Sequence, residues 1–90
     1  MALGTDVGKT WSVYILLCAD GTLYTGVTTD VARRLAAHQC GKGAKYTRGR
    51  GPLTLVYTQA CPDKPSAFRR EWELKHMSRE EKLALCHIDA

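Results

Sequence analysis

Asp20-Gly21, set between SVYILLC (residues 12–18) and TLYTGV (residues 22–27), constrains this chain more than any other pair of its residues. An Asp-Gly step flanked by two runs rich in β-branched and aromatic residues is a strong hairpin signal, so the two runs read as an antiparallel pair. The loop length then decides the chemistry. A two-residue turn over Asp20-Gly21 puts Ala19 opposite Thr22 and sends Tyr14 and Tyr24 to opposite faces. A three-residue loop, Ala19-Asp20-Gly21 with Gly21 in the left-handed conformation, puts Cys18 opposite Thr22 and both phenols on one face. The second register segregates side chains better and is the one expected here. Val13, Ile15, Leu17, Leu23, Thr25 and Val27 then share one face; Tyr14, Leu16, Cys18, Thr22, Tyr24 and Gly26 share the other.

The remaining elements follow from caps and punctuation. TTDVARRLAAHQCGKG has Asp30 or a neighbouring Thr as N-cap and Gly41 just past its end, which predicts a helix. Pro52 leads into LTLVYTQAC, whose Thr, Tyr and apolar content fits a third strand. Asp63 and Pro65 open a second helix over SAFRREWELKHM, and Ser78 with Glu81 forms a capping box for a short third one, REEKLALC. The expected fold is α+β, a three-stranded antiparallel sheet flanked by three helices in the order ββαβαα. Whether the third strand lies beside the first or the second is not readable from the sequence. Residues 1–9 lack periodicity and read as a loose lead-in to one domain over residues 10–90. Ninety residues leave room for one modest core.

Composition narrows the function classes. With 44% hydrophobic and 24% charged residues the chain is ordinary globular rather than disordered. Its formal charge of +4 is localised, because GKGAKYTRGRG (residues 41–51) carries Lys42, Lys45, Arg48 and Arg50 and no acid. Such a loop suits phosphates, against the alternative of a solvated loop. Cys18, Cys40, Cys61 and Cys86 form no CxxC pair and lack zinc-site spacing. The N-terminus shows no charged start followed by an apolar stretch, so reduced thiols in a cytoplasm are expected. The longest apolar run, VYILLCA, is far below the roughly 20 residues of a membrane span.

Three groups carry candidate chemistry. The first is the pair of phenols. In the first helix, Val31, Ala32, Leu35 and Ala36 form the expected apolar arc, with Arg33 pointing away from its centre and Arg34 and His38 along one edge at i and i+4. In the second, Ala67, Phe68, Trp72 and Leu74 define the expected arc and Glu71 falls inside it. A carboxylate aimed at the packed side needs a partner. Lys75 one turn away, an arginine of the first helix, or a divalent cation would each serve.

Taken in order, these residues resemble the GIY-YIG nuclease family. Val13-Tyr14 and Tyr24-Thr25-Gly26 stand at its two named motifs, Arg34 and His38 at the arginine and histidine of its first helix, and Glu71 at its metal-binding glutamate. The match runs from about Ser12 to Leu85, and LYTGVTTDVARRLAAH, GKGAK, RREWELK and SREEKLAL are most similar to the small stand-alone bacterial YhbQ-like type. The resemblance implies metal-dependent hydrolysis of DNA phosphodiesters in DNA repair or processing. Glu71 would hold one Mg²⁺ or Mn²⁺, Arg34 would stabilise phosphoryl charge, and one tyrosine would deprotonate the attacking water. Tyr14 is favoured for that role, with Tyr24 positioning water or phosphate and His38 orienting a tyrosine or relaying a proton.

Ser12 replaces the first glycine of the pattern, Val27 stands where some members carry lysine, and the chain contains no asparagine. With no attached DNA-binding domain, the basic loop implies weak, salt-sensitive binding of branched, flapped or single-stranded DNA. RNA stays open as a substrate, because nothing in the sequence reads a 2′-hydroxyl. The alternative function is a slow or non-catalytic nucleic-acid-binding module acting with a partner protein.

Overall fold

The computed structural model describes residues 10–42, 49 and 51–88. The elements run β1 (Trp11–Leu17), β2 (Leu23–Thr28), α1 (Val31–Gln39), β3 (Thr54–Cys61), α2 (Lys64–Lys75) and α3 (Arg79–Leu85), the order ββαβαα in one three-stranded antiparallel sheet. Lys45, Arg48, Arg50 and the expected lead-in over residues 1–9 lie outside the described residues.

The hairpin uses the three-residue loop. Leu17 pairs with Leu23, Leu16 with Tyr24 and Tyr14 with Gly26. Gly21 sits at φ +86°, and its N–H donates to the Cys18 carbonyl at 2.9 Å while the Cys18 N–H donates to the Thr22 carbonyl at 2.8 Å. Arg79, the first residue of α3, donates to the Gly21 carbonyl at 2.8 Å and ties the turn to the far end of the chain.

Strand order is β2-β1-β3, which leaves β1 central. Val13, Tyr14, Ile15 and Leu16 are accordingly buried in succession, as expected of a strand covered on both faces. On one face Val13 and Ile15 pack with Leu74 of α2, Leu85 of α3 and Cys86 just after it. On the other, Tyr14, Leu16 and Cys18 pack with Leu53, Tyr24 and Leu35 of α1. β3 carries an irregularity between Ile15 and Leu16 of its partner, where the pairing slips from Tyr57 to Leu55.

The helix ends form as their sequences demand. Asp30 accepts from the Arg33 N–H at 3.1 Å and Asp63 from the Ser66 N–H at 2.8 Å. Ser78 and Glu81 complete the reciprocal capping box. At the C-terminus of α1, Gly41 at φ +78° and Lys42 donate to the His38 and Ala37 carbonyls, the Schellman pattern.

Two helical faces are rotated from expectation. In α1, Ala32 and Ala36 are exposed, while the inward stripe runs through Val31, Leu35 and His38, with His38 only 2% exposed. The imidazole turns inward because a hydrogen-bond partner waits there, which offsets the cost of burying it. In α2, Ala67 and Leu74 are the buried pair, and Phe68 and Trp72 lie 44% and 61% exposed. Small Ala67 lets the helix approach the sheet closely. Phe68, one position and about 100° further round, is thereby turned out, and Trp72 still further.

Candidate active site

The register is what brings the phenols together. Tyr14 and Tyr24 project from the α1 face of adjacent strands with ring centroids 6.4 Å apart. His38 enters from α1, its ring centroid 5.8 Å from that of Tyr14 and 5.2 Å from that of Tyr24, both at an edge-on 61°. The Tyr14 hydroxyl and His38 Nε2 are 2.8 Å apart in a buried hydrogen bond.

Gly26 makes this cluster possible. It faces Tyr14 across the ladder, and a Cβ built there would lie 2.6 Å from the Tyr14 hydroxyl oxygen and 2.7 Å from Cζ. The phenol occupies the space that any other side chain would need. The glycine of Tyr24-Thr25-Gly26 is therefore a steric requirement of the tyrosine ten residues before the other one.

Electrostatics organise the same groups. Burial raises the Tyr14 phenol above its ordinary pKa of 10.0; Arg34, facing the hydroxyl, pulls it back, while Tyr24 and Glu71 push it further up. Burial lowers His38 below its ordinary 6.5, and the nearby Arg34 charge lowers it further. At neutral pH the pair is thus a protonated phenol and a neutral imidazole, and in the Nδ1–H tautomer the hydroxyl donates and Nε2 accepts.

Arg34 also borders a cleft of about 390 Å³ lined by Thr28, Thr29, Asp30, Arg33 and Ala37. A second cavity, of about 290 Å³, opens beside His38 against Gly41, Gly49, Gly51, Pro52 and Leu53. Lys42 is exposed where the basic loop leaves α1.

Glu71 stands on α2, in the other layer, and its charge is felt at Tyr14. Its side chain is 18% exposed and pairs with Lys75 at 3.2 Å, the i,i+4 partner foreseen in the sequence. Among the described residues there is no group of three or more His, Cys, Asp or Glu that would form a dedicated metal cage. A single carboxylate still fits a hard cation that draws the rest of its shell from water and phosphate oxygen, as Mg²⁺ commonly does.

The profile of the GIY-YIG catalytic domain matches residues 10–84. The chain belongs to the GIY-YIG family. It is 63% identical over 76 residues to the UPF0213 protein BH0048 of Halalkalibacterium halodurans, covering 84% of this chain and 81% of that one. It is 56% identical over 73 residues to the UPF0213 protein VNG_2274C of Halobacterium salinarum, covering 81% and 95%. Among solved structures, the solution NMR structure of BH0048 from Bacillus halodurans aligns with a TM-score of 0.55 at 59% identity, covering 84% and 81%. That of EF2693 from E. faecalis aligns with a TM-score of 0.59 at 33% identity, covering 90% and 88%. As a GIY-YIG domain the chain carries a nuclease-type framework. No helix among the described residues is long and apolar enough to cross a membrane.

Of the sequence candidates, Tyr14, Tyr24, Arg34 and His38 come together, and Glu71 lies within electrostatic reach of Tyr14. Two features were not foreseen. Arg33, exposed as its place away from the apolar arc predicts, also lines a cleft with Arg34. The exposed aromatic row of α2 had a signal that the helical wheel obscured, the four-residue spacing of Phe68, Trp72 and His76.

Proposed function

We propose that this GIY-YIG protein is a divalent-metal-dependent endonuclease that hydrolyses DNA phosphodiesters, with a preference for structure rather than sequence, in cytoplasmic DNA repair or processing. The observation that carries this reading is the buried Tyr14–His38 hydrogen bond held beside Arg34 and within the field of Glu71.

A phenol raised above its ordinary pKa is a poor base if it must first ionise. The hydrogen bond to His38 removes that requirement. Water at the Tyr14 hydroxyl gives its proton to the phenol oxygen as the phenol proton moves to His38 Nε2, leaving an imidazolium. The hydroxide formed attacks phosphorus, the P–O bond to the leaving strand breaks, and the departing oxygen is protonated from solvent. Arg34 stabilises the charge that gathers on the phosphoryl oxygens. Tyr24, edge-on to the same imidazole, positions the water or the phosphate. Glu71 would release Lys75 to hold one Mg²⁺ or Mn²⁺, which supplies Lewis-acid stabilisation of the phosphate when bound. Neutralising Glu71 also removes one of the influences that push Tyr14 up, and leaves the opposing pull of Arg34 in place. Lys42, with Lys45, Arg48 and Arg50, would hold flanking phosphates.

The test incubates the protein with flapped, branched and single-stranded DNA and with RNA, in Mg²⁺ or Mn²⁺, beside Glu71→Gln and His38→Gln. Loss of about a hundredfold or more in rate is expected in His38→Gln, the scale of a proton-transfer group. If wild type cleaves no substrate faster than Glu71→Gln, the nuclease reading fails.

A further inference from the structure

Lys64, Phe68, Trp72 and His76 are spaced four apart and so form one row along α2, stepping about 6 Å at a time. Two large aromatics exposed on one helix are unusual for a surface that meets only water. The row is also organised. His76 stacks on Trp72 at 4.0 Å and 27°, and its Nδ1 lies 2.8 Å from the Trp72 carbonyl oxygen. Trp11 extends the row from the sheet side, 6.1 Å from Phe68. Lys64 Nζ lies 5.6 Å from the Trp11 ring centre and 5.9 Å from that of Phe68.

Charge selects the partner. The two acids of α2 are both taken up within the helix, Glu71 by Lys75 and Glu73 by Arg70. Lys64 and Arg69 pair with no acid among the described residues, so the face that carries the rings is net cationic. Exposed aromatic rings interleaved with cations that no acid neutralises among the described residues suit unstacked bases on an anionic backbone. Duplex bases are already stacked on one another and present no face to such a row. Trp72 directly follows Glu71, so the row runs beside the carboxylate assigned to the metal.

We propose that the Lys64–Phe68–Trp72–His76 face of α2, extended by Trp11, is a base-stacking platform for the single-stranded flank of the nucleic acid whose phosphate is held at the neighbouring site. This rests on the nuclease reading above and assigns its substrate class, a strand with unpaired bases beside the cleaved bond.

The chain has two tryptophans, so in Trp11→Phe all indole emission comes from Trp72. Titration of that variant with oligothymidylate in metal-free buffer, where no cleavage intervenes, is expected to quench the emission, and the matched duplex to leave it largely unchanged. Trp72→Ala is expected to weaken oligothymidylate binding about tenfold, with Trp72→Phe retaining most of the affinity. An unchanged indole signal on binding overturns the platform, as does affinity indifferent to Trp72→Ala. So does a Trp72→Ala effect confined to self-association in sedimentation, which would make the row a protein contact. Quenching without any cleavage in Mg²⁺ upholds the platform and removes the nuclease reading; cleavage without quenching does the reverse.

Discussion

The two faces of β1 are built from alternate residues of the same strand and do different work. Val13 and Ile15 meet Leu74, Cys86 and the apolar residues around them. Tyr14 and Leu16, their neighbours, meet Leu35, Tyr24 and a buried imidazole. The first face is a packed interior whose one discordant atom is Thr25 Oγ1, buried without a hydrogen-bond partner among the described residues. The second buries groups that titrate; burial keeps both neutral, while the Arg34 guanidinium reinforces that at His38 and opposes it at Tyr14. Stability and chemistry are therefore separable by parity along seven residues of strand.

The largest test of that separation is Leu74→Ala on the apolar face. It should lose about 2–5 kcal/mol in urea denaturation, while the titration of Tyr14 in the surviving fold stays put. Gly26→Ala strikes the boundary between the functions. The added methyl meets the Tyr14 ring rather than a flexible chain end, so a loss of about 1–3 kcal/mol is expected, with the Tyr14–His38 bond broken as seen in the imidazole resonances by NMR. If Gly26→Ala is as stable as wild type and keeps that bond, the tyrosine does not depend on the glycine.

On the chemical face, Tyr14→Phe removes the buried hydrogen bond to His38 Nε2 and should cost about 1–3 kcal/mol. The pH dependence has a definite sign. The folded pKa of His38 lies below its unfolded 6.5, so the unfolded chain takes up the proton first as pH falls. His38's contribution to stability is full above about pH 6.5 and declines below it. Urea midpoints measured down the acid limb should fall less steeply in His38→Gln. Glu71→Gln should move the ultraviolet titration of Tyr14 downward, because a charge that raises it is gone. An upward shift would place Glu71 outside the site. Smallest of all, Thr25→Val should change stability by no more than about 1 kcal/mol, in the stabilising direction, since it removes an unpaired buried hydroxyl.

Much of this was legible beforehand where the signal is local. Asp20-Gly21 with alternation on either side favoured the bulged loop, since that register sorts apolar from polar residues better than the two-residue turn does. Asp30, Gly41, Asp63, Ser78 and Glu81 marked helix ends because orphan backbone groups there need those side chains or that left-handed glycine. Helical phase was read less well. The wheel for α2 puts Ala67, Phe68, Trp72 and Leu74 in one arc, and of these the sheet buries Ala67 and Leu74 and leaves the two large aromatics exposed.

Residue order alone determined the elements, their caps, the hairpin register and hence the shared face of Tyr14 and Tyr24, because each depends on interactions within a few positions or across one tight turn. Tertiary packing decided that β1 is the central strand, that α1 rolls His38 inward onto Tyr14, and that Trp72 faces out beside Glu71. A repeat of 3.6 residues tells which side chains share a helical face. Which face turns inward is settled by the shape and hydrogen-bonding groups of the surface it meets, and those come from distant parts of the chain.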